Sequence, residues 1–174
     1  MKNKEDIYKI LSIVLMLDQV IKLLIRSKLE LYQTITIIPK FFSITYVENT
    51  GAAFSILKDS TTLLTIFSAV ILAFLSEYIK KEKNFSKLSI LSYGLLTGGI
   101  VGNMIDRVLH HAVTDYLSFT FFSYSFPIFN LADIAITVGV FLLMIDMFKE
   151  KGSKKNEEPP KRIISRSSKR KSNN

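Results

Sequence analysis

The chain has 174 residues, 48% of them hydrophobic, and 23 Lys/Arg against 15 Asp/Glu, a formal net charge of +8. It has no cysteine, and its two histidines are the adjacent His110 and His111. That excludes disulfides, thiol nucleophiles, thiolate metal sites and the HExxH zinc motif. No GxSxG, Walker A or GxGxxG run occurs, so any chemistry falls to carboxylates, hydroxyls, Lys or Arg. A basic balance invites a nucleic-acid reading, but the mean hydropathy is +0.28. Residues 149–174 hold ten Lys/Arg and three acids, so +7 of the +8 lies in that tail. The body before it is nearly neutral and strongly apolar, and no nucleic-acid partner is expected.

In chain order, four segments reach the roughly 20 mostly apolar residues that cross a bilayer: 7–25, 61–79, 88–109 and 131–148. The first is not a signal peptide: it lacks a small-residue cleavage site and contains Asp18, Gln19 and Lys22. It reads as a retained span. Lys/Arg placement sets orientation. The N-terminal flank, the connection between the second and third spans and the tail hold 17 of the 23, against five on the other side. Both termini are therefore expected in the cytoplasm, with 26–60 and 110–130 facing outward. Within these outer loops, 35–47 and 113–129 are rich in β-branched and aromatic residues. They predict short strands at the outer interface, where aromatics are enriched. Gly51-Ala52-Ala53 reads as a turn or a close-packed segment, and the tail as disordered. The domain reading is a four-span unit over 1–149 and a basic tail over 150–174.

Ionisable groups inside a span cost about 2.5–3.5 kcal/mol each at the bilayer centre, so each needs a partner or a purpose. Asp18 and Lys22 are four apart on one face of the first span, which favours an internal ion pair over direct chemistry. Asn103 and Arg107 are also four apart, after Gly98, Gly99 and Gly102. Taken alone they read as a close-packed helix with an interfacial arginine. Asn130 is an expected N-cap for the fourth span, three residues before Asp133. Asp115 alone reads as a loop acid, and Asp133 alone as a first-turn acid favoured by the helix dipole. Together they stand at opposite ends of one outer loop that must return between neighbouring helices. Two close carboxylates do not readily ionise together, so one keeps a proton while the other serves as base. That is the arrangement for activating water against a peptide carbonyl. Asp59 and Asp146 lack such a setting.

Five pieces of the chain resemble, in order, the bacterial lipoprotein signal peptidase (signal peptidase II) family. They are Asp18-Gln19-Val20-Ile21-Lys22; Asn49-Thr50-Gly51-Ala52-Ala53-Phe54-Ser55; the glycine-rich run from Gly98 to Asn103-Met104-Ile105-Asp106-Arg107; Val113-Thr114-Asp115-Tyr116; and Phe129-Asn130-Leu131-Ala132-Asp133. The family often has Val-Val-Asp-Phe where this chain has Val-Thr-Asp-Tyr, and the aspartate is kept. The resemblance implies a four-helix membrane protein with a small extracytoplasmic β-sheet cradle. It implies that Asp115 and Asp133 form a catalytic dyad and that Asn103, Arg107 and Asn130 line the site. Asn49 and the turn from Gly51 to Phe54 would close over substrate, and Asp18 and Lys22 would be structural. The implied substrate is a diacylglyceryl-modified prolipoprotein, cut just before its lipidated cysteine in the bacterial cytoplasmic membrane, with globomycin as inhibitor. No metal or organic cofactor is implied, membrane lipids are the surroundings, and a monomer is expected because one chain carries the whole site.

Other classes fit less well. A GxGD-type aspartyl protease needs Gly-x-Gly-Asp, which is absent. A rhomboid-type enzyme needs a serine and a histidine within spans, whereas His110 and His111 stand at a span end. A small transporter or channel subunit, with Asp18–Lys22 and Asn103–Arg107 lining a polar path, accounts neither for the aromatic outer loops nor for the paired aspartates.

Overall fold

The computed structural model describes residues 2–51, 60–122 and 124–156. Among these residues four helices form in the order α1 (Lys2–Lys28), α2 (Thr61–Lys81), α3 (Lys87–His110) and α4 (Leu131–Asn156). Between α1 and α2 lie β1 (Thr34–Ile38) and β2 (Phe42–Asn49); between α3 and α4 lie β3 (Val113–Phe121) and β4 (Tyr124–Ser125). Among the described residues three helices, α2, α3 and α4 up to Lys149, are long and apolar enough to cross a membrane. Helix α1 has the length, about 40 Å at 1.5 Å per residue, but carries Asp18, Lys22 and Arg26 in its second half.

Apolar side chains point outward. On α2, Leu63, Ile66, Phe67 and Phe74 are more than half exposed, while Asp18, Lys22 and Asp106 are fully buried. A soluble protein does the reverse; a lipid solvent rewards this pattern. Helix α3 is the axis of the bundle and the most buried of the three apolar helices. Its glycines set how closely the others approach. A Cβ on Gly99 would lie 2.5 Å from the Ala132 carbonyl oxygen of α4, and one on Gly102 would lie 2.6 Å from Asp18 Oδ2 of α1. Small residues at these two positions bring both partners into contact with the polar end of α3.

The strands make an antiparallel sheet in the order β1-β2-β3-β4 at the end of the bundle where α1 and α3 finish and α2 and α4 begin. The β-rich run 35–47 is thus a hairpin, with Lys40 at positive φ in its turn. Aromatic pairs knit the sheet: Phe42 stacks on Phe119 at 4.7 Å, and Phe119 on Phe129 at 5.7 Å. Ile25 of α1 and Leu29, just past its end, pack with Tyr46 and Tyr116 to seat the sheet on the bundle.

The fourth helix runs to Asn156, past the boundary drawn at 149/150 and past the start of the expected disorder at Gly152. Glu150, Lys151, Lys154 and Lys155 are good helix formers, and one glycine does not stop a helix. The rest of the tail lies outside the described residues, as do Asp59 and positions 52–55 of the expected closing turn. Asp146 accepts hydrogen bonds from Ser86, which caps α3, and from Ser89, tying the start of α3 to α4.

Candidate active site

Asp115 reaches the site from the sheet. Strand residues alternate sides, and the first four residues of β3 are all buried, so each face of β3 meets protein. Thr114 faces the helices, where its amide donates to Asp106 Oδ2 at 3.0 Å and its hydroxyl accepts from Arg26 at 2.8 Å. Asp115 faces the other way, into a cavity of about 910 Å³. Asn49 pairs with Val113 and Val47 with Asp115, so Asn49 and Asp115 are diagonal neighbours on one face of the sheet. The Asn49 amide donates to Asp115 Oδ2 at 2.9 Å, and its Oδ1 accepts from the Gly51 backbone at 2.9 Å. A bulge between Ile44 and Val47 brings them into this register.

Asp133 reaches the site from the first turn of α4. Phe129 bridges to Leu117, with Leu117 donating to the Phe129 carbonyl at 2.8 Å. This return of the loop delivers Asn130 beside Asp115. Asn130 then caps α4 reciprocally: its Oδ1 accepts from the Asp133 amide at 3.0 Å, and its own amide donates to Asp133 Oδ2 at 3.2 Å. The remaining first-turn amides are also satisfied. Leu131 donates to the Tyr116 hydroxyl at 3.2 Å, Ala132 to Asp18 Oδ1 at 3.1 Å, and Ile134 to the Asn130 carbonyl at 3.3 Å.

Two asparagines link the acids. Asn130 Nδ2 donates to Asp115 Oδ1 at 2.6 Å, and Asn103 Nδ2 donates to Asp133 Oδ1 at 2.7 Å. Burial, and next the nearby Asp133 charge, push the Asp115 carboxyl from its ordinary 3.8 up to about 7, against the hydrogen bonds from Asn49 and Asn130 and the positive charge of Lys22. Arg107 lines the same cavity. Its Nη2 donates to the Gly51 carbonyl at 3.4 Å, and its buried Nε has no hydrogen-bond partner among the described residues.

The residues singled out in the sequence therefore converge: Asn49, Gly51, Asn103, Arg107, Asp115 and Asp133 all border the one cavity, and Asn130 joins its two acids. Asp18 and Lys22 pair at 2.9 Å, as their spacing suggests. Asn103 and Arg107, although four apart, go to different partners. Sequence reasoning missed Asp106, Arg26, Gln19, Thr114 and Tyr116. Asp106 is fully buried and bonds Lys22 at 3.0 Å, and Gln19 reaches Asp18 and Asp106 at 3.2 and 3.3 Å. The signal was present: Asp18, Lys22 and Arg26 recur every four residues on one helix face, and Asp106 follows Asn103 by three.

Comparison with known proteins gives one answer. The family model described as signal peptidase (SPase) II matches residues 10–149. A lipoprotein signal peptidase of Maridesulfovibrio salexigens is 39% identical, over 86% of this chain and 99% of that one. That of Symbiobacterium thermophilum is 42% identical, over 79% and 93%, and one from Staphylococcus aureus 36%, over 83% and 89%. A solved bacterial membrane enzyme superposes with a TM-score of 0.78 at 36% identity, covering 86% of this chain and 92% of that one.

Proposed function

Since the chain belongs to the signal peptidase II family, we propose that it is an aspartyl endopeptidase that removes the signal peptide from diacylglyceryl-modified prolipoproteins, cutting just before the lipidated cysteine. The observation that carries the mechanism is that Asp115 and Asp133 share one cavity and are cross-linked through Asn130 and Asn103. The pair shares one proton, held by Asp115, whose carboxyl sits near 7. Asp133 takes a proton from water as the water oxygen attacks the scissile carbonyl carbon. Asp115 gives its proton to the carbonyl oxygen, and a gem-diol forms. Asp133 then protonates the leaving nitrogen, the C–N bond breaks, and one hydroxyl proton returns to Asp115 as the new carboxyl group forms. Arg107 and the Asn49–Gly51 turn line the same cavity and are the groups against which the substrate backbone would lie.

Four spans place both termini in the cytoplasm and the site at the outer membrane face, where the lipid anchor of the substrate holds its scissile bond at the depth of the acids. Helix α1 is the fourth span because Asp18, Lys22 and Arg26 are matched within the bundle: Lys22 by Asp18 and Asp106, and Arg26 by Asp106 at 3.5 Å. The enzyme acts as a monomer, with residues 1–149 as the peptidase unit. The test is incubation of purified Asp115→Asn and Asp133→Asn variants with a diacylated precursor peptide. Both are expected to be inserted and inert; normal cleavage by either overturns the mechanism. Inhibition of the unaltered enzyme by globomycin is expected.

A further inference from the structure

Beneath the two acids lies a buried group of charges that the proposed chemistry does not use. The ammonium of Lys22, fully buried, meets Asp18 Oδ2 at 2.9 Å, Asp106 Oδ2 at 3.0 Å and Asn103 Oδ1 at 2.8 Å. An ammonium has three N–H bonds and no lone pair, so all three are engaged and none can be exchanged for an acceptor. This donor-only character dictates the Asn103 amide. Its oxygen must face Lys22, which leaves its nitrogen facing Asp133 Oδ1 at 2.7 Å. The reversed amide would set an oxygen against a carboxylate and a nitrogen against a cation.

The direction propagates. Asn103 Oδ1 also accepts from Asn130 Nδ2 at 3.2 Å, and the same nitrogen reaches Asp115 Oδ1 at 2.6 Å. Asn130 Oδ1 is thereby turned to the Asp133 amide at 3.0 Å. On the far side the Gly51 amide turns Asn49 the same way. All four carboxylate oxygens of Asp115 and Asp133 thus receive an N–H donor: Asn130 Nδ2, Asn49 Nδ2, Asn103 Nδ2 and the Asn130 backbone. The proton shared by the acids is left to the lone pairs that these donors do not occupy.

We propose that Lys22 is a positioning residue of the peptidase site, acting through Asn103 and Asn130 to fix the direction of the amide hydrogen bonds that hold Asp115 and Asp133. This rests on the aspartyl reading above. The charged and titratable groups around the acids are Asp18, Lys22 and Arg26 from α1, Glu48 from β2, Asp106 and Arg107 from α3, Tyr116 from β3 and Tyr124 from β4. Among them Lys22 favours the ionised form of Asp115, so its removal makes Asp115 hold its proton to higher pH and moves the pH–rate profile toward alkali.

The experiment measures kcat, KM and the pH profile on a diacylated precursor peptide for Lys22→Gln and for Asp18→Asn/Lys22→Gln, with melting temperature as the folding control. The double variant removes one buried charge of each sign, and so tests the amide direction even if the single variant does not fold. Gln presents donor and acceptor alike, so it no longer dictates Asn103. The expected result for each folded variant is a kcat loss of about 10²-fold, the size of a positioned acid–base contribution, with KM changed less than about twofold. For Lys22→Gln the optimum also shifts toward alkali. A folded variant with unaltered kcat, or with kcat lost only in step with melting temperature, overturns the proposal. Asp115→Asn assayed alongside keeps the two ideas apart: normal cleavage by it overturns the aspartyl reading itself, whereas its inactivity beside fully active Lys22 variants overturns only the role of Lys22.

Discussion

Replacing Asp115 by asparagine is expected to stop cleavage and yet stabilise the protein in a pH-dependent way. The folded carboxyl, near 7, binds its proton more tightly than the unfolded one at 3.8. Stability is therefore fully present below the unfolded value, falls as pH rises, and has lost the whole contribution once pH passes the folded value. Relative to a group that never ionises, Asp115 costs the fold about 4 kcal/mol at pH 8 and about 2 kcal/mol at pH 5. The introduced amide has its own cost. Both Asp115 oxygens accept from N–H donors, so its NH2 must confront one of them, at about 1–3 kcal/mol. That cost does not titrate. The difference between the two pH values thus isolates the ionisation: the melting temperature of Asp115→Asn minus that of the unaltered enzyme should be about 5–10 °C larger at pH 8 than at pH 5. Thermal unfolding of both proteins in the same detergent measures it. A gap that is constant with pH, or one that widens toward acid, refutes the buried, charge-opposed carboxylate on which the mechanism depends.

Three further outcomes follow from the geometry. Asn130→Ala removes the α4 cap and the donor to Asp115 Oδ1; it should cost about 1–2 kcal/mol in denaturant unfolding and eliminate cleavage. Arg107→Ala should raise KM for the precursor peptide roughly tenfold, the loss of one charge-assisted hydrogen bond, because its guanidinium lines the cavity that holds the two acids. Gly102→Ala should lower stability by about 1–3 kcal/mol, visible as a reduced melting temperature, since its Cβ would meet Asp18 Oδ2 at 2.6 Å.

Much of this is legible in the sequence. Apolar runs at 61–79, 88–109 and 131–148 became α2, α3 and α4, with α2 and α4 starting at the expected residues Thr61 and Leu131. The β-branched runs became strands, although the turn between β1 and β2, which Pro39 could have marked, was not placed. Asn130 caps α4 as its spacing to Asp133 suggested. What was not legible is partner choice. Asp106 had no reading of its own, yet it holds the Thr114 amide beside Asp115, and Tyr116 accepts from the Leu131 amide at the start of α4.

The sequence by itself determined which segments are apolar enough for lipid, which runs extend as strands, and which few polar groups are too costly to bury without a reason. These are properties of composition and period within 20 or so neighbouring residues. Only the tertiary structure decided what those polar groups touch. Asp18 meets the Ala132 amide across 114 positions of chain, and Lys22 meets Asn103 across 81. Such contacts depend on how closely glycines 99 and 102 let three helices approach, and no local pattern encodes that distance. The same packing turned two ordinary-looking aspartates, a loop acid and a first-turn acid, into neighbours on one cavity, where low solvation makes the charge on one oppose the charge on the other.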